Sequence, residues 1–175
     1  MTGESQTFST GIKSSDNEPH IALGDKNEIY ITTNEGSDAN LLRLSRSGEV
    51  KWSTSIGSDG LDRITALNIS NDEIFVTGIS NGDLGNGRAQ SGYKAFVAKF
   101  DTDGGRQELL LPERHTGDIA VTAIENSDQG AIYIAGYINK STGPETYKGG
   151  EFDAFITKLD SSGSIMWSQN LGTQG

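Results

Sequence analysis

Short runs of β-branched and aromatic residues recur along the chain, each bounded by Asn, Asp or Gly. The clearest are Glu28–Thr33, Glu73–Gly78 and Ala131–Gly136, which read EIYITT, EIFVTG and AIYIAG. Such runs suit a pleated, half-buried surface and predict strands. A weaker apolar run precedes each, at Ile21–Leu23, Ile64–Ile69 and Ile119–Ile124. Across a loop follow Ala39–Leu44, Ala95–Phe100 and Ala154–Leu159, then a fourth element at Glu49–Ile56, Arg106–Leu111 and Ser164–Leu171. No stretch carries a 3.6-residue apolar period of useful length, so helix is not expected.

Many of these strands are apolar on both faces. In Ala154–Leu159, Phe155 and Leu159 point one way while Ala154 and Ile156 point the other. A sheet with one wet face would alternate more cleanly. Four short strands, buried on both sides and repeated roughly every 45–60 residues, describe propeller blades stacked against their neighbours. The expected fold is all-β: three four-stranded antiparallel blades over residues 12–57, 58–113 and 117–172. Thr7–Gly11 resembles the end of a fourth strand, Ser53–Gly57, and would be the outer strand of a preceding blade.

The third and fourth strands of each unit are joined by Ser45-Arg-Ser-Gly48, Asp101-Thr-Asp-Gly104 and Asp160-Ser-Ser-Gly163. Glycine in last place is the chemistry of a type I turn closed by a left-handed residue. Trp52 and Trp167 stand four residues after Gly48 and Gly163. Equivalent placement in two blades assigns both tryptophans to packing between blades rather than to a surface site. Glu108 fills that position in the middle copy and predicts a distorted or more exposed fourth strand there. The loop between second and third strands is short in the first copy (34–38) and long in the others (80–93 and 139–152). A repeat scaffold carries recognition on such loops, so Tyr93 and Tyr147 are the candidate ligand-binding residues.

Composition narrows the chemistry. The net charge of −10 disfavours nucleic acid and anionic membranes as partners. The absence of cysteine removes disulfides, thiolate catalysis and cysteine-based zinc sites. No segment approaches the ~20 apolar residues of a membrane helix, and the polar start is not a signal peptide. Asp101 and Asp103 beside Gly104 resemble part of a calcium loop, but the distal ligands are missing and turn chemistry accounts for the aspartates. His20 and His115 are isolated in polar surroundings and read as surface residues. Arg43, Lys99 and Lys158 recur at one blade position, where each would snorkel toward a rim or meet a carboxylate such as Asp101 or Asp160. No cofactor and no metal are expected.

Several motifs, in order, carry a family resemblance. They are Ile132–Gly136, Phe152–Asp160, Ser161-Ser-Gly163, Trp167 and Leu171-Gly172 in the third copy. In the second they are Ile74–Gly78, Asp83-Leu-Gly85 and Tyr93–Asp101. On these residues the chain resembles the bacterial β-propeller repeat family called SBBP, over nearly its whole length. The first copy departs at Leu42-Arg-Leu-Ser45. Its Leu44–Gly48 with Trp52 is also similar to the tryptophan-docking repeat of quinoprotein propellers. The SBBP resemblance implies a propeller within a large bacterial surface or secreted protein and implies no catalytic residues.

The expected function is a non-catalytic propeller module for protein or glycan interaction or scaffolding, placed outside the cell or at its surface. The alternative is a fragment of a quinoprotein-like or hydrolytic propeller enzyme. Its active centre would lie where the first strands meet, and the polar residues there are few: Thr65, Asn68, Thr122 and Glu125. Propellers have about 4–8 blades, so three leave a ring open. Closure would come from further blades of a longer chain or from a second copy, two copies giving six blades.

Overall fold

The computed structural model describes residues 18–84, 93–110, 119–127, 129–138 and 153–172. Among them are twelve strands and no helix. The first sheet is β1 (Ile21–Leu23), β2 (Ile29–Glu35), β3 (Asp38–Leu44) and β4 (Val50–Ile56). The second is β5 (Asp62–Ser70), β6 (Glu73–Ser80), β7 (Lys94–Phe100) and β8 (Arg106–Leu110). The third is β9 (Ile119–Asn126), β10 (Ile132–Ile138), β11 (Asp153–Leu159) and β12 (Ile165–Asn170). Within each sheet the strands follow one another in sequence order, antiparallel throughout. Each sheet is thus a meander of one repeat, which is how a blade is built. The expected strand of a preceding blade at Thr7–Gly11 lies outside the described residues, as does Tyr147.

The hydrophobic core is not inside the blades but between them. Tyr30, Ala39, Leu41 and Ile56 of the first sheet meet Ile64, Ile74, Val76, Phe96, Ala98 and Phe100 of the second. Alternate residues of that same second sheet, Ala66, Phe75, Ala95, Val97 and Leu110, meet Val121, Ile132, Ile134, Phe155 and Leu159 of the third. The two-sided apolar strands have this cause: the middle blade is sandwiched, so both its faces are buried. β6 and β7 are accordingly buried at nearly every position.

The three hairpin turns repeat one device. Gly48, Gly104 and Gly163 adopt φ of +82°, +86° and +77°, the left-handed region expected for a glycine-closed turn. The first residue of each turn locks it with its side chain. Ser45 Oγ accepts from the Glu49 amide at 3.2 Å. Asp101 Oδ1 accepts from the amides of Asp103 and Gly105 at 3.0 and 2.8 Å, and its Oδ2 from Gln107 at 2.6 Å. Asp160 Oδ1 accepts from the amides of Ser162 and Ser164, both at 2.9 Å. These bonds hold the Asp160 carboxyl below its ordinary range, the Ser162 hydroxyl contributing most. Asp101 therefore spends its oxygens on the turn, as the turn reading requires.

Two expectations are corrected. The fourth strand of the middle blade is not distorted. β8 pairs with β7 in the shared register, Lys99 opposite Glu108, with a bulge after Lys99 where the sister blades have theirs after Arg43 and Lys158. Arg43 and Lys99 do meet carboxylates, but not the turn aspartates named for them. Arg43 pairs with Glu28 at 3.2 Å and Lys99 with Glu73 at 2.6 Å, so their carboxylates come from the start of the second strand. Lys99 and Lys158 also lie over the rings of Phe75 and Tyr133 at 5.8 and 5.5 Å. Strand pairing decides this, because β2 and β6 run beside β3 and β7 and bring those glutamates into reach.

Candidate functional site: a rim cleft between the first two blades

Asn34, at the end of β2, builds the floor of a cleft. Its Oδ1 accepts from the Ile64 amide at 2.8 Å and its Nδ2 donates to the Ile64 carbonyl at 3.1 Å. The amide side chain thereby imitates a strand neighbour for the edge of β5, which a buried edge needs. β5 carries a bulge between Ile64 and Ala66 at this point. Bulges re-aim side chains, and here the displaced residue is Thr65.

Above this floor opens a cavity of about 440 Å³ lined by Glu18, His20, Asn34, Leu61, Arg63, Ile64, Thr65, Ile79 and Tyr93. That volume falls within the range of about 300–1,000 Å³ usual for small-molecule sites. The cleft lies at the rim where the β2–β3 and β6–β7 loops emerge. Tyr93, expected from its loop to touch ligand, stands in this lining just before β7.

The connection from β4 to β5 fixes the cleft wall. Asp62 is fully buried and accepts from the Ser58 amide at 2.7 Å and from the Ser58 hydroxyl at 2.8 Å. Asn81 reaches back to take the Leu61 amide at 2.6 Å. Leu84, from the Asp83-Leu-Gly85 motif, is buried in the core between the first two blades and anchors the start of the long loop. Arg63 bonds two carbonyls, those of Gly36 and Asp62, at 3.0 and 2.9 Å, which holds its guanidinium at the mouth.

His20 is the residue that sequence reasoning missed. Its backbone extends the pairing of β1 with β2 through the Thr32 amide at 2.9 Å. Its side chain is half-buried, and Nε2 is closed off without a hydrogen-bond partner. Nothing in its chain neighbours, Glu18 and Pro19, signals this; the fold brings Ile64 to it from more than forty residues away. Burial holds the imidazole below its ordinary pKa of 6.5, while Glu18 and the Ile64 backbone act in the opposite direction without overturning it. A depressed folded pKa means that the unfolded chain takes up the proton first as pH falls. The contribution is present above about pH 6.5 and is lost as pH drops through that value toward the folded pKa. Thermal unfolding is therefore expected to shift to lower temperature between about pH 7.5 and 5.5, and His20→Gln should flatten that dependence. An unchanged slope in the variant would count against the assignment.

The other first-strand polar residues divide. Thr65 lines the cleft, its hydroxyl donating to the Thr77 carbonyl at 3.3 Å. Asn68 bonds Glu125 at 3.0 Å and Asn126 at 3.2 Å, tying the second blade to the third away from the cleft. Among the described residues no three His, Asp or Glu side chains converge as a metal site. No helix among them is long and apolar enough to cross a membrane. Trp52 is packed at the first blade junction, with its ring 6.1 Å from that of Tyr30. Trp167 pairs with Tyr133 edge-on at 6.2 Å, yet is 41% exposed.

No protein-family model matches the chain, and no curated protein matches it by sequence. Solved structures do match it in fold. A chimera of ACO and RPE65 aligns at TM-score 0.52 and 12% identity over 87% of this chain and 38% of that one. Cobalt-substituted ACO from Synechocystis aligns at TM-score 0.51 and 14% identity, over 90% of this chain and 38% of that one. This chain thus spans well under half the length of these two solved chains. At such identity the likeness bears on fold alone. Together with the meander order and the cores lying between sheets, it identifies the architecture: the chain forms three consecutive blades of a β-propeller.

Proposed function

We propose that this chain is a non-catalytic binding module that takes a hydroxyl-rich ligand, a saccharide, in the rim cleft between its first two blades. The supporting observation is the lining itself. One aromatic ring (Tyr93), one carboxylate (Glu18), one guanidinium (Arg63) and one hydroxyl (Thr65) line a single cavity, with the His20 ring in its wall. A ring offers an apolar face to a sugar's C–H groups, and the mixed donors and acceptors suit its hydroxyls. Their charges offset one another, which favours a neutral polyol over a strongly charged ligand. The resemblance to SBBP repeats supports placement within a surface or secreted bacterial protein. Recovery of the native protein from the cytosolic fraction alone would remove that placement.

The test is a saccharide array probed with the fluorescently labelled chain, with each positive saccharide titrated by calorimetry. Tyr93→Ala and Arg63→Ala should each weaken binding about tenfold or more, the scale of a residue central to an interface. Saccharide binding that both variants leave unchanged would place the site elsewhere. Release of a shortened saccharide from the mixture would overturn the non-catalytic reading.

A further inference from the structure

His20 stands in the wall of the cleft, and its backbone and its ring are held very differently. The backbone is clamped to β2: the His20 amide donates to the Thr32 hydroxyl at 3.1 Å, and the Thr32 amide donates to the His20 carbonyl at 2.9 Å. The ring has no such anchor on Nε2, which is shut away from solvent with no hydrogen-bond partner among the described residues. With the backbone fixed, the freedom left to the residue is rotation of its ring.

A neutral imidazole tolerates this arrangement. Its bare nitrogen is an unpaired acceptor, which costs far less than the unpaired N–H of a buried cation. Protonation turns both ring nitrogens into donors. Nε2–H then faces a wall that offers it no acceptor. The surrounding groups decide where it turns. β2 presents Thr32 and Asn34, neither titratable, and Asn34 is committed to Ile64. β5 presents Asp62, buried and committed to Ser58, and Arg63, a like charge in the cavity lining. Tyr93, before β7, brings a phenol. Glu18, two residues back along the chain, brings the carboxylate of the lining, and its charge favours the imidazolium.

We propose that His20 is an acid-release trigger for the cleft: a proton on its ring swings it out of the wall onto the Glu18 carboxylate, across the space that a ligand fills. This inference rests on the saccharide reading. The swung ring takes volume from the cleft, and the ion pair takes from the ligand a carboxylate that would accept from its hydroxyls. Bound saccharide and charged ring therefore exclude each other, and by linkage binding expels the proton. The sign follows. Affinity is full where the ring is neutral, above about pH 6.5, and falls as pH drops through the lower value that burial sets. Such a protein holds its ligand at neutral pH and gives it up in an acidified medium.

The test has two arms, both on the whole chain. In the first, without ligand, the His20 ring is followed by nuclear magnetic resonance from about pH 7.5 to about pH 5, a range that spans histidine titration. His20→Gln tells its signals from those of His115. Ring contacts to Ile64 at the upper pH should vanish in step with the titration, and Glu18→Gln should move that titration to lower pH. In the second arm, a saccharide found on the array is titrated by calorimetry at both pH values, with circular dichroism showing the protein folded at each. Affinity should fall at least about threefold at the lower pH, approaching about tenfold per pH unit for one linked proton. In His20→Gln the two affinities should be equal, whatever their common level. A ring that stays against Ile64 while it titrates would overturn the trigger. So would a wild-type affinity that is level between the two pH values, or one that falls equally in His20→Gln. A chain that binds no saccharide at the upper pH would overturn the saccharide reading and the release with it. The first arm tells that failure apart, since the ring would still swing.

Discussion

Alanine at Gly78 is expected to destabilise the fold by about 3 kcal/mol or more, at the upper end of overpacking costs. A Cβ there would collide with the Arg63 carbonyl oxygen on one side and with the buried Phe96 ring on the other, at 2.6 Å from Cζ. Neither can retreat: the carbonyl lies in the paired stretch just before the β5 bulge, and Phe96 fills the first junction. Gly136 is in the same position in the third blade, where a Cβ would meet the Ala120 carbonyl beside the β9 bulge. The first copy has Thr33 at the equivalent place, and there β1 is only three residues long and pairs with β2 without a bulge. Glycine and bulge therefore go together. Urea denaturation of Gly78→Ala, Gly136→Ala and Thr33→Gly should show large losses for the first two and a loss of about 1 kcal/mol or less for the third. Equal effects at all three would break the link.

The second large effect separates the two tryptophans. Trp52→Ala is expected to cost about 2–4 kcal/mol, below the full cost of a completely buried tryptophan because part of the ring reaches solvent. It removes the indole ring that rests on the Gly104 turn and whose Nε1–H donates to the Thr102 carbonyl at 3.0 Å, leaving that carbonyl with Arg43 alone. Trp167→Ala should cost about 1 kcal/mol or less, as substitution of a side chain that reaches solvent does. The same residue in the same sequence motif thus differs several-fold in energetic weight. The measurement is again denaturant unfolding, followed by circular dichroism because the substitutions alter the fluorescent probe. If the two variants lost equal stability, Trp52 would not be acting as the pin of the first junction.

The middle blade explains why sequence reasoning misjudged Glu108. The missing tryptophan suggested a damaged strand, because one position was being asked to report on the whole element. Tertiary packing shifts the task of covering the next blade's turn glycine by two residues to Leu110, which lies against Gly163 from the same face of β8, and the ladder stays intact. A period of two makes such a shift inexpensive: residues two apart look the same way. The rim cleft was half legible. Tyr93 could be placed by its loop, and Thr65 by its strand. His20, Arg63 and Asn34 could not, since His20 and Asn34 matter through Ile64, and Arg63 through the Gly36 carbonyl, across a junction that no local pattern encodes.

By itself the sequence determined the blade. Strand order, the left-handed turn glycines and the two-faced apolar pattern all follow from local sterics and periodicity, repeated three times and therefore readable. Only the tertiary structure decided how the blades are used. It put the cores between sheets, seated Trp52 on Gly104 while leaving Trp167 exposed, paired Arg43 with Glu28, and opened a cleft around His20. Those outcomes depend on which faces meet. Two copies of one motif become a buried pin or an open surface according to what stands beside them.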